Sequence, residues 1–137
     1  MSKVKGQFAW CLYDWANSSF PTVITTFVFA AYFTKAVSAD VTSGTAAWGY
    51  AMSLSALTVA FVGPVLGAIV DQGGRRKPWL GFFTAICIMA SALLWLVEPE
   101  PSFAMMALVL VAVANTAFEI GMVFYNAMLP DLVSKGR

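Results

Sequence analysis

Thirty consecutive residues, 41–70, carry no charge, and three further uncharged runs are 18 to 20 residues long. Asp14 and Lys35 enclose 20 uncharged residues, Lys77 and Glu98 enclose 20, and Glu100 and Glu119 enclose 18. A helix needs about 20 mostly apolar residues to cross a hydrocarbon core about 30 Å thick. Each run reaches or approaches that length, and together they leave no room for a separate soluble domain. The charged fraction of 11% is under half of the roughly 25% usual in soluble domains. The pattern predicts an all-α membrane protein with four transmembrane helices, at about 10–34, 45–70, 78–97 and 102–129. Lys3 and Lys5 resemble the start of a signal peptide, but Asp14 and Asn17 interrupt the apolar stretch, which continues to Phe33. A signal-peptide core is only about 7–15 residues.

The connections carry the punctuation such helices need. Asp71-Gln72-Gly73-Gly74 ends the second, Pro78 suits the first turn of the third, and Glu98-Pro99-Glu100-Pro101 separates the third from the fourth. The stretch 35–44, with Ser38, Ser43 and Gly44, is expected to be an exposed turn. Lys3, Lys5, Arg75, Arg76, Lys77, Lys135 and Arg137 fall on one side of a four-helix layout, seven of the eight basic residues. The positive-inside rule predicts both ends of this segment in the cytoplasm.

Composition also excludes chemistry. There is no His, and Cys11 and Cys87 belong to no CxxC pair, so no metal site, His relay or disulfide framework is expected. A net charge of +1 gives no nucleic-acid face. Gly44 to Gly49 lacks the Lys of a phosphate-binding loop. With no nucleophile–base pair either, neither an enzyme nor a cofactor is expected. The expected partners are the lipid bilayer and a small polar solute, with protons as a coupling ion.

Three helices carry marked faces. In the second, Gly49, Ser53, Ala56, Ala60, Gly63 and Gly67 recur at helical spacing, and Gly63 and Gly67 form the small-xxx-small pattern by which helices approach closely in lipid; a close partner is expected there. In the first, Asp14, Ser18, Thr22 and Thr25 share a face that Asn17 widens, and Pro21 withholds a donor from the Asn17 carbonyl. In the fourth, Asn115, Glu119, Met122 and Asn126 share a face. Glu119 lies about ten residues from the basic end, roughly 15 Å at 1.5 Å per residue. A charge at mid-membrane costs about 2.5–3.5 kcal/mol on insertion scales and marks a functional site by default. Asp14, Asn17, Ser18, Thr22, Asn115, Glu119 and Asn126 are therefore candidates for a substrate or proton site, with the first and fourth helices facing each other across a polar cavity. The third helix, with only Thr84, Cys87 and Ser91 as mildly polar positions, is expected to face lipid over most of its circumference.

The run Gly67-Ala68-Ile69-Val70-Asp71-Gln72-Gly73-Gly74-Arg75-Arg76 resembles the signature loop between helices two and three of the major facilitator superfamily, with Gln72 where a base is usual. Tyr13-Asp14-Trp15-Ala16-Asn17-Ser18, Phe118-Glu119-Ile120-Gly121 and Phe124 to Asp131 are similar to the branch of autophagy-related vacuolar effluxers. The resemblance implies a twelve-helix alternating-access transporter, of which residues 1–137 form a partial N-terminal domain. It implies that helices one and four line the central site. It also implies that Gly67, Asp71, Gly74, Arg75 and Arg76 form a cytoplasmic latch against the missing helices. A bacterial inner membrane is the simplest location. Two alternatives stay open: a complete four-helix oligomeric exporter of the small multidrug resistance kind, and a non-transporting membrane subunit. The 7-to-1 division of basic residues argues against the dual-topology form of the first.

Overall fold

The structure, a computed structural model, describes residues 3–73 and 76–128, and the side chains of 5–70 and 76–128. Among them, four helical segments are long and apolar enough to cross a membrane: Lys5–Val37, Val41–Val70, Arg76–Leu96 and Pro101–Ala127.

The first span is irregular. It opens as α1 (Lys3–Asn17), passes through π-helical turns at Pro21–Phe27, resumes as α2 (Val28–Tyr32) and ends in π-helical turns at Phe33–Val37. Pro21 supplies no N–H, so the regular ladder is broken there. Neighbouring hydroxyls bond back to their own helix: Ser18 Oγ to Asp14 O at 2.8 Å, Thr22 Oγ1 to Ser18 O at 3.0 Å and Thr25 Oγ1 to Pro21 O at 2.8 Å. Such back-bonding bends helices, and the backbone takes up five-residue bonds such as Val28 N–H to Val23 O.

The turn to the second span is shorter than the sequence predicts, because residues 38–40 alone lie outside helix. Asp40 caps the next helix, α3 (Val41–Gly73). Its Oδ1 accepts from the N–H groups of Thr42 and Ser43, both at 2.9 Å, and Oδ2 from the Ser43 hydroxyl at 2.5 Å. These are the orphan donors of a helix start. The Ser43 hydroxyl and backbone bonds hold the Asp40 carboxyl below the usual aspartate value. Gly44 is buried where Ser38 folds over it, and an added Cβ would lie 2.6 Å from Ser38 Cβ.

The third span is α4 (Arg76–Leu93) with a tighter final turn, Leu94–Leu96. Pro101–Phe103 leads into α5 (Ala104–Ala127), the main element of the fourth span and the most buried of the four. Its core runs in three clusters. Ala107 and Val111 meet Phe29, Phe33, Val37, Leu94 and Val97 at the Asp40 end. Ala114 and Ala117 meet Phe20, Cys87 and Ala90 midway. Ile120 and Phe124 meet Val70, with Trp79 and Leu80 packed alongside, at the basic end.

The third span exposes more than half of its residues, as expected, and its inner edge is engaged: Cys87, Ala90 and Leu94 are buried on the fourth, and Thr84 bonds to Tyr13 of the first. One expectation is corrected. The small-residue stripe of the second span has no close partner among the described residues. Gly49, Ser53, Ala56 and Ala60 are exposed, and a Cβ added at Gly49 or Gly67 would meet nothing within 4 Å. The second span instead packs through the row containing Ser55, Gly63 and Val70, because Ser55 hydrogen-bonds to the fourth span. Gly63, though buried, would bring an added Cβ only to Val59 of its own helix, at 3.9 Å.

Gly44→Ala should destabilise the protein by about 1–3 kcal/mol through overpacking against Ser38, read as a loss of denaturation midpoint in detergent. Asp40→Ala should lower Tm at neutral pH. Because the folded-state Asp40 value is depressed, its contribution is present above the unfolded value and lost as pH falls through the folded one. The Tm difference between Asp40→Ala and the parent should therefore close below the ordinary aspartate value of 3.8.

Candidate functional site

The first and fourth spans run antiparallel and touch along a ladder of paired side chains. At the basic end the rings of Trp10 and Tyr125 stack, 4.5 Å between centroids and 8° from parallel, and Tyr13 lies 5.2 Å from Tyr125. The Tyr125 hydroxyl donates to Trp10 O at 3.2 Å, and the Asp14 carboxyl lies near it. One step up, Asn17 Nδ2 donates to Met122 Sδ at 3.1 Å. Above that, Phe20 stacks on Phe118 at 4.9 Å. The two helices therefore meet directly, with side chains 10, 13, 17 and 20 against 118, 122 and 125.

This seam decides where the candidate residues lie. On antiparallel helices in contact, a step of one residue on each, about 100°, turns to the same side of the plane through both axes. Asp14 and Ser18 are one step beyond Tyr13 and Asn17. Glu119 and Asn126 are one step beyond Phe118 and Tyr125. All four are exposed, on one common side. The opposite step leads to Ala16 and Ala117, which face the third span. Thr22, within the π-helical turns, is also exposed. Asn17 is different, being taken up in the seam itself.

Asn115 is drawn away from the others. It is buried, and its amide donates to Ser55 Oγ at 3.0 Å. Ser55 Oγ is 2.9 Å from Thr116 Oγ1, which donates to Ala112 O at 2.7 Å. Since the Thr116 hydrogen is committed to Ala112, Ser55 donates to Thr116, and the chain is satisfied from end to end. Its place is the interface of spans two and four. Sequence reasoning missed Ser55 and Thr116, because isolated hydroxyls in apolar helices carry no pattern. It also missed Trp10, Tyr13 and Tyr125 as seam residues, although 118, 122 and 125 already lie at helical spacing.

Residues 37–136 match the family described as "Vacuole effluxer Atg22 like". The chain belongs to the Atg22-like vacuole effluxer family. It is also 34% identical over 136 residues to "Uncharacterized MFS-type transporter YxiO" of Bacillus subtilis (strain 168). That alignment covers 97% of this chain but only 31% of the relative, so the chain spans about a third of the relative's length. No solved structure matches.

The signature loop of this Atg22-like chain falls at a helix end. Asp71 continues the second helix, which runs to Gly73; its side chain, and all of Gly74 and Arg75, lie outside the described residues. Gly67 is half-buried. Arg76 Nη1 donates to Ala127 O at 2.6 Å. The guanidinium thus meets a carbonyl of the fourth span's last helical turn, at the negative pole of that helix.

Removing the Asn115 amide should test the network on the second and fourth spans. In a double-mutant cycle of Asn115→Ala and Ser55→Ala, the coupling should be about 0.6–1.7 kcal/mol, the range of hydrogen bonds between helices in lipid. The measurement is unfolding in mixed micelles, and a coupling of zero would remove the bond from the account.

Proposed function

We propose that this chain forms the leading part of a secondary transporter working by alternating access, with the common side of the span one–span four seam as one wall of its solute path. One observation carries the reading. In an otherwise apolar membrane segment, the side chains of Asp14, Ser18, Glu119 and Asn126 are exposed on the same side of one seam. Exposed carboxylates are costly against lipid and favour a wet cavity. Carboxylates, an amide and hydroxyls on one wall suit a small polar solute such as an amino acid. Glu119 and Asp14 are the groups able to carry a coupled proton, since the sequence has no His.

The location follows the same logic. By the positive-inside rule the basic residues favour the cytoplasmic side for the Arg76 end, and the bacterial relative favours an inner membrane. The exposed stripe at Gly49, Ser53, Ala56 and Ala60 is the surface on which further helices of a longer polypeptide would pack. Asp71, Gly74, Arg75 and Arg76 would act there as the latch, with Arg76 anchored on the end of the fourth span.

The test uses the full-length polypeptide in proteoliposomes, with an imposed pH gradient and a radiolabelled amino-acid mixture. Uptake should exceed that of empty vesicles, and Glu119→Gln should cut it at least about tenfold, the equivalent of about 1.4 kcal/mol, while eluting as a folded protein. Asp14→Asn should act in the same direction. Undiminished uptake in Glu119→Gln would sink the assignment of that residue.

A further inference from the structure

The third span begins with a pocket of about 290 Å³ walled by Pro78, Trp79 and Phe82. Its walls are rings, not the small residues through which helices approach in lipid. Trp79 is fixed from behind: its ring lies 6.3 Å from that of Phe83 and 6.3 Å from that of Phe124 in the fourth span. Phe82 is 56% exposed and meets Trp79 edge-on at 6.4 Å. The two rings form a standing apolar corner that does not have to be built when something enters it. A tryptophan at the start of a span suits the boundary between hydrocarbon and headgroups.

Charge at the mouth of the corner identifies its occupant. Lys77 directly precedes Pro78, is exposed, and has no partner among the described residues. Arg76 beside it is turned to the Ala127 carbonyl. The positive pole of α4 stands at the same level, and residues 71–77 hold three bases against one acid. Deeper along the span, Pro78, Phe82, Ala85 and Met89 recur four, three and four apart, and all are exposed. They make one apolar strip of about 16 Å at 1.5 Å per residue. That length matches one leaflet of a hydrocarbon core about 30 Å thick. An anion carrying a tail of one leaflet's length answers both ends. A free phosphate would leave the aromatic corner empty, and a zwitterionic lipid would bring its own cation against Lys77.

We propose that the third span carries a seat for an anionic phospholipid of the bilayer, with its phosphate on Lys77 and one acyl chain in the corner of Pro78, Trp79 and Phe82. The long lysine stem reaches headgroup level while the rings hold the chain below it. The seat is built from third-span residues alone, so it stands whether or not the seam of the first and fourth spans lines a solute path.

The experiment uses the full-length polypeptide in phosphatidylcholine nanodiscs. A minor component is either phosphatidylglycerol or phosphatidylcholine bearing a photoreactive diazirine in its acyl chain. Irradiation is followed by peptide mapping. The phosphatidylglycerol probe should label the peptide containing Trp79 and Phe82 about fivefold more than the phosphatidylcholine probe, the preference expected of one basic residue at an anionic headgroup. Lys77→Gln should abolish that preference and Lys77→Arg should keep it, with both variants eluting as folded protein. Equal labelling by the two probes overturns the proposal, as does a preference that survives Lys77→Gln or the absence of a lipid adduct on this peptide. Should Lys77→Gln fail to fold, the comparison of the two probes on the parent protein decides alone.

Discussion

Lipid tails are as apolar as leucine, so helices in a membrane are not driven together by burial. What joins these four is the fit and hydrogen bonding of the fourth span to each of the others. Toward the first span it offers rings and a thioether, toward the second an amide and a hydroxyl, and toward the third Ala114, Ala117, Ile120 and Phe124. The stack of Trp10 on Tyr125 adds geometric preference that a pair of aliphatic side chains lacks. Every statement about which polar groups share a side follows from that seam and its antiparallel sense.

Much of the architecture was legible in the charge pattern. Glu98, Glu100, Asp40 and Asp71 flank the spans because a charge is tolerated at a membrane surface and not within it. The depth of the polar positions was legible too, since rise per residue is constant in an α-helix: Asp14 lies beside Tyr125 as its distance from the helix end requires. The angular positions were less so. Beyond Phe20 the inward residues of the first span are Ile24, Phe29, Phe33 and Val37, a spacing longer than 3.6. A wheel drawn at 100° per residue rotates Thr22 and Thr25 progressively away from their true directions, and the cause is the π-helical turns after Pro21. A single proline in a sequence does not announce whether a helix will kink, break or widen.

Two polar residues show how partners redistribute meaning. Asn115 and Glu119 are one turn apart and look equivalent on a wheel, yet Ser55 and Thr116 absorb the first and the second stays exposed. Arg76 looked like one of three loop cations, but its guanidinium reaches the Ala127 carbonyl of the fourth span. In both cases the deciding residue lies about 50 or 60 positions away in the chain, beyond any local pattern.

The second helix has a mechanical consequence of its own. Val41–Gly73 is 33 residues with Pro64 inside it and no interruption, about 50 Å at 1.5 Å per residue. The hydrocarbon is only about 30 Å deep, so some 20 Å of rod must tilt or stand clear of it. A carboxylate at position 71 can therefore belong to a membrane helix without ever entering oil. The rod joins the Asp40 turn to position 71 as the two ends of one beam, so a tilt at either membrane face is carried to the other.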